Sequence, residues 1–276
     1  MRITNVQLQA GLVELTDYVL RVGRPYPKPR EQYLAVTMYA TDYKLYDLSR
    51  GQQLAVAAAN FSFKAWGRAD QARFWSYAFA NTPYLVIGQL AIDHFRAMKG
   101  KKNQNLAQYW PLLKKWVPKI DNWVHGDMLA GVLNQIYSER HEEMDPQLQQ
   151  WLSSRSPWKQ RMALLTLFYY HNAKRYQPPA TLVTQALQPL LDVDHYYLQK
   201  AVGWTLREFR SAHPDEADAF LEDHLHRITP TAYSTAVERL PKRFKQALKA
   251  RRALRRQQER AEIRRKKRSD AKNESS

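Results

Sequence analysis

The sequence predicts an all-α protein, and three observations carry that prediction. Glycine occurs only 9 times in 276 residues, β-branched residues seldom alternate with polar ones, and apolar residues recur at i, i+3 and i+4 along most of the chain. Prolines fall between those apolar patterns, as at Pro111, Pro118, Pro146, Pro157, Pro189, Pro214 and Pro230, where they punctuate helices. With 44% hydrophobic and 12% aromatic residues, the chain can bury a full core. No apolar run approaches the roughly 18 residues that a membrane helix needs. The N-terminus MRITNVQLQA lacks the cationic start and apolar stretch of an export signal. A soluble cytoplasmic protein is expected, and the absence of cysteine excludes disulfides, thiolate metal ligands and cysteine nucleophiles.

The first helical pattern gives way at residues 20–35, LRVGRPYPKPREQYLA, to a stretch that reads as a loop rich in Pro, Arg and Lys. Four apolar helices then recur: TPYLVIGQLAIDHF (82–95), NWVHGDMLAGVLNQI (122–136), SPWKQRMALLTLFYY (156–170) and DHYYLQKAVGWTLREF (194–209). Their interval is roughly 36–40 residues, and each is followed by a second helical pattern. A helix pair repeated at this period predicts an α-α superhelix of HEAT-like repeats with one concave groove. The repeat domain is expected to span residues 1–241. Residues 242–276 form a basic tail, helix-permissive at first and disordered at its end.

The net charge is +17, but 15 of the 43 Lys/Arg and 4 of the 26 Asp/Glu lie from Lys242 onward, which leaves +6 for residues 1–241. The basicity is therefore concentrated in the tail. It reads either as a solvated extension or as a non-specific, salt-dependent phosphate contact.

On a wheel of about 100° per residue, Leu198, Ala201, Val202, Thr205, Leu206 and Phe209 fall on one narrow core stripe. Lys200, Trp204 and Arg207 gather on the opposite side. Trp204 is then either covered by a second layer of helices, with the cations passing it, or is an aromatic platform between two cations, suited to a phosphate-bearing ligand. The same wheel sets Leu129, Val132, Leu133 and Ile136 toward the core, with Trp123, Asp127 and Asn134 opposite. Between these helices, nearly every residue after Arg161 is apolar. Arg161 itself falls near the buried stripe and so requires a carboxylate or a phosphate. Asp127 is a candidate partner, in which case the pair is either functional or a structural bridge.

Through NWVHGD, SPWKQRMALL and above all LQKAVGWTLREF, residues 70–245 resemble the DNA alkylation repair family, HEAT-like-repeat DNA glycosylases of the AlkD type. The resemblance implies a groove for duplex DNA containing alkylated purines, with Asp127 as the catalytic carboxylate and Trp123 and Trp204 beside the lesion nucleotide. It further implies Arg161 and Arg207 as phosphate-contacting groups; Lys200 joins them from its position beside Trp204. The lesion would be captured through the DNA backbone, without burial of the base in a deep pocket. Lys159-Gln160-Arg161 departs from the paired arginines common in the family, and residues 1–70 carry no signature of it. A monomer in a bacterial cytosol, associated with the nucleoid and needing no metal or cofactor, is expected.

The chemistry stands on its own terms. A purine alkylated at N3 or N7 is cationic and leaves as a neutral base, so no strong general acid is needed. A carboxylate near C1′ stabilises the positive charge that grows on the sugar and can orient the attacking water. The chain has no Walker loop, GxGxxG, GxSxG or HExxH, and His224 and His226 point to different sides of their segment. The rival expectation is a non-catalytic HEAT-like protein that binds distorted or branched nucleic acid; a third is a protein-binding scaffold.

Overall fold

The computed structural model describes residues 3–39, 41–98, 105–170 and 175–273, with side chains described to residue 265. The architecture is helical. Its helices are α1 (Asn5–Val22), α2 (Lys28–Tyr33), α3 (Arg50–Ala58), α4 (Arg68–Asn81), α5 (Leu85–Arg96), α6 (Trp110–Leu113), α7 (Trp123–Leu152), α8 (Pro157–Leu167), α9 (Ala180–Leu187), α10 (Tyr196–Ala212), α11 (Pro214–His224), α12 (Pro230–Ala236) and α13 (Lys242–Asn273). The four recurrent segments of the sequence become α5, α7, α8 and α10. One two-residue ladder, β1 (Arg24–Pro25) against β2 (Tyr46–Asp47), runs antiparallel.

The stretch expected to be a single repeat domain divides into two compact units, residues 1–166 and 167–276. In the first unit, Thr4 and Gln7 close a capping box at the start of α1. The spacing of Leu8, Leu12, Leu15 and Val19 then lays one buried stripe against Phe61, Phe63 and Phe74. The Phe63 and Phe74 rings stack at 3.9 Å, and each such buried side chain contributes on the order of 1.5–3 kcal/mol. In the second unit, α10 packs on α11 and α12. All six residues of its predicted core stripe are buried.

Three local expectations are corrected. Residues 20–35 are not an uninterrupted loop: they include β1 and α2, because Pro29 sits in the first turn of α2, where a missing N–H breaks no helical bond. Pro146 does not separate two patterns. The break in α7 is at Arg140, whose φ of −135° and ψ of 36° leave the helical region, and the helical run continues through the proline. The tail remains helical to Asn273 rather than ending in an irregular segment, since its Ala, Leu, Arg, Lys, Gln and Glu are all strong helix formers. Residues 274–276 lie outside the described range.

The glycine of the AVGWTL segment has a packing cause. A Cβ at Gly203 would fall 2.3 Å from the Ala232 carbonyl oxygen and 2.6 Å from the Thr235 Cβ, so α10 can cross α12 at this distance only without a side chain there. Gly203→Ala should lower the urea midpoint by an amount equivalent to about 1–3 kcal/mol. Gly51→Ala, in open space on α3, should be neutral or stabilising by about 0.5–1 kcal/mol.

Candidate functional site

In the first unit the site is built on the opening turn of α7. Asn122 caps the helix, its side-chain oxygen accepting from the His125 amide at 2.9 Å. The imidazole of His125 is fully buried. It lies where a side chain on α5 would otherwise be, since a Cβ at Gly88 would come within 2.5 Å of the ring. Nε2 lies 2.8 Å from the Leu85 carbonyl oxygen and Nδ1 3.3 Å from the Asn122 amide nitrogen. These partners define the neutral tautomer, with Nε2–H donating and Nδ1 accepting. Burial pulls the pKa down to about 4, against the opposing effects of the Leu85 carbonyl and Asp121.

From this anchored turn Trp123 and Asp127 project one helical turn apart, both half-buried. The Trp123 indole N–H donates to the Met38 carbonyl at 2.7 Å, and the Tyr39 ring stacks on it at 6.0 Å with 23° between planes. Asp127 meets Arg161 of α8. Nε at 3.1 Å and Nη2 at 2.6 Å both donate to Oδ1. Among the described residues, Oδ2 accepts no hydrogen bond. The guanidinium is 5% exposed and the carboxylate 16%. Burial raises the Asp127 pKa, outweighing the attraction and hydrogen bonds of Arg161. The cation that the sequence required to be partnered has found its carboxylate.

Asn134, expected beside Trp123 and Asp127, is instead buried, and its amide donates to the Thr166 carbonyl at 2.9 Å. The wheel misplaces it because the C-terminal end of α8 lies over that side of α7, giving the helix a second buried face.

In the second unit Trp204 is half-buried on α10. Its N–H donates to the Tyr169 carbonyl at 2.6 Å, and the Tyr169 ring stacks on it at 5.8 Å. Tyr170 is tilted against the indole at 5.0 Å, and the Arg207 guanidinium lies 5.1 Å from its ring centre. Arg207 also donates to Glu208 at 3.0 Å and pairs with Glu238, so its side chain is only 10% exposed. Glu208 is buried and receives Arg239 as well, at 3.1 Å. Lys200 is exposed one turn before Trp204. The tryptophan is thus covered by tyrosines and an arginine rather than by a second layer of apolar helix.

Sequence reasoning missed Met38, Tyr39, Tyr169, Glu208 and the Gly88–His125 insertion. The two tyrosines after Phe168 were visible in the apolar run, but no periodicity ties Tyr39 to Trp123. Among the described residues, no group of three or more His, Asp or Glu is placed to hold a metal ion, and no helix is long and apolar enough to cross a membrane.

A family model described as "DNA alkylation repair enzyme" matches residues 59–240. A predicted DNA alkylation repair enzyme from Enterococcus faecalis is similar in structure, at a TM-score of 0.59 and 15% identity over 80% of this chain and 99% of that one. AlkD2 from Streptococcus mutans aligns at a TM-score of 0.51 and 15% identity, covering 84% and 98% of the two chains. At this identity the likeness shows a shared helical fold. Among curated proteins, none matches the chain significantly.

The stacking of Tyr39 on Trp123 predicts that Tyr39→Ala red-shifts and weakens the Trp123 contribution to fluorescence, measured against a Trp123→Phe reference, whereas Tyr39→Phe leaves it unchanged. The depressed His125 pKa favours the folded state above pH 6.5, and that stability is lost as pH falls toward about 4. Urea unfolding should therefore show about 2–3 kcal/mol lost over that window, and a His125→Leu variant should lack this dependence.

Proposed function

The chain belongs to the DNA alkylation repair enzyme family, and on that premise we propose that it is a DNA glycosylase that hydrolyses the N-glycosidic bond of cationic N3- and N7-alkylpurines in duplex DNA. The observation that carries this reading is the lopsided pairing of Asp127. Arg161 holds one oxygen, which fixes the carboxylate in place, and Oδ2 is left as an open acceptor one helical turn along α7 from Trp123.

In the proposed reaction the ionised Asp127 acts twice. Its charge stabilises the oxocarbenium-like sugar as the neutral purine departs, and Oδ2 accepts a proton from the water that attacks C1′. Holding the carboxylate in advance matters because a misplacement of about 1 Å can remove much of such an effect. Trp123 and Trp204 each offer an aromatic face suited to a cationic base, worth on the order of 0.5–2 kcal/mol. Lys200, exposed on α10, is suited to a phosphate contact. Arg161 and Arg207 take a different part from the one the resemblance suggests: each is engaged by a carboxylate and acts by positioning Asp127 and Trp204.

One observation favours the rival reading, a non-catalytic protein that binds distorted or branched nucleic acid: the Asp127–Arg161 pair is mostly buried and could serve packing alone. Release of free methylated purine from methylated duplex DNA separates the two. The wild type should release it, and Asp127→Asn should retain binding while slowing single-turnover release by about 10²–10³-fold. Tight binding without release by either protein would leave the rival. Burial raises the Asp127 pKa from 3.8, and the ionised form is the active one. The rate should therefore rise with pH through a single ionisation above that value and fall as pH drops through it.

A further inference from the structure

We infer that α13 is a second, lesion-independent grip on duplex DNA, distinct from the residues of α7 and of α10 that the proposed reaction uses. The inference rests on the reading of DNA as the partner but not on glycosylase activity. α13 begins just beyond residue 240, where the family match ends. It therefore lies outside the segment that the family model matches.

One line of α13 fastens it to the second unit. Leu248 is buried, the Lys245 ammonium donates to the Glu238 carbonyl at 2.7 Å, and Arg252 donates to the Ile228 carbonyl at 2.6 Å. Arg256 reaches the carbonyls of His226 and Ile228 at 3.2 and 3.1 Å. Residues 245, 248, 252 and 256 share one face of the helix. These contacts hold the helix as a fixed arm.

The charged groups on the remaining surface are nearly all cationic. Lys242, Lys249, Arg255, Arg260, Arg264 and Arg265 are exposed, and among the described residues their side chains make no ion pair or hydrogen bond. Glu259 and Glu262 are the only acids between residues 242 and 265. Lys242, Lys249, Arg260 and Arg264 fall within about 60° of one another around the helix and span about 33 Å of its axis. One turn of duplex is ~34 Å, so a row of cations of this length reaches along about one turn and meets phosphates where it crosses the strands. A membrane surface is disfavoured, because the exposed Phe244, Leu254 and Ile263 point to different sides and form no apolar face.

The test measures binding to an undamaged duplex over a series of salt concentrations. It compares the wild type, the K242Q/K249Q/R260Q/R264Q variant and a chain ending after Gln257, each checked for an unchanged thermal midpoint. Each phosphate contact adds about 0.9 to the slope of log K against log salt. The four-fold variant should therefore lose about 3–4 of that slope, and the truncation about 2 or more. The ratio of affinities for lesion-containing and undamaged duplex should remain within about twofold, because a phosphate contact carries no lesion information. An unchanged slope in the variants that fold would overturn the inference and make α13 a solvated arm. Weakening confined to lesion-containing DNA would overturn it too, by assigning the helix to the lesion site. A reduced slope in a protein that releases no purine would keep this inference and remove the glycosylase.

Discussion

The insertion of the His125 imidazole into the space that Gly88 leaves on α5 fixes the first turn of α7, and the arrangement of the first unit's site follows from it. An imidazole buried this deeply is tolerated because both ring nitrogens have partners and the proton stays on one of them. Asn122 serves twice, capping the helix with its oxygen and meeting Nδ1 with its amide. With the axis and rotation of α7 set in this way, Trp123 and Asp127 emerge on one side at a defined height. Met38, Tyr39 and Arg161 complete their surroundings.

The carboxylates of Glu208 and Asp127 are treated differently. Glu208 is almost inaccessible and receives Arg207 from its own helix and Arg239 from beyond the end of α12, an arrangement that compensates its charge. Asp127 keeps 16% of its surface and meets one arginine on one oxygen. The first is what a structural ion pair looks like, and the second is what remains when a carboxylate is held still but left partly uncompensated. The upward push that burial gives the Asp127 pKa has the same origin.

What the sequence revealed was whatever local periodicity encodes. The core stripes of α7 and α10, the positions of the recurrent helices, the half-exposed tryptophans and the need of Arg161 for a partner all depend on residues within a few turns of one another. The partners themselves do not. The Met38 carbonyl lies far from Trp123 along the chain, and the burial of Asn134 depends on where α8 ends. The break at Arg140 replaces a helical φ/ψ with a non-helical one inside an otherwise regular pattern, and nothing in the apolar spacing marks it. The KAVGW segment was legible as a motif, while the reason for its glycine became visible only when α12 was seen crossing it.

Both tryptophans have their single donor occupied. The Trp123 N–H is bound to the Met38 carbonyl and the Trp204 N–H to that of Tyr169, and an indole offers no other polar group. Neither ring can therefore read the edge of a base, because edge recognition needs a donor or acceptor to match. What each still offers is a π surface, which responds to positive charge and is indifferent to the pattern of hydrogen-bonding groups around a purine. Within the proposed reaction, adenine and guanine adducts would be sorted by whether they are cationic rather than by which base they were, and any preference between them would have to arise elsewhere, in the stability of the glycosidic bond itself.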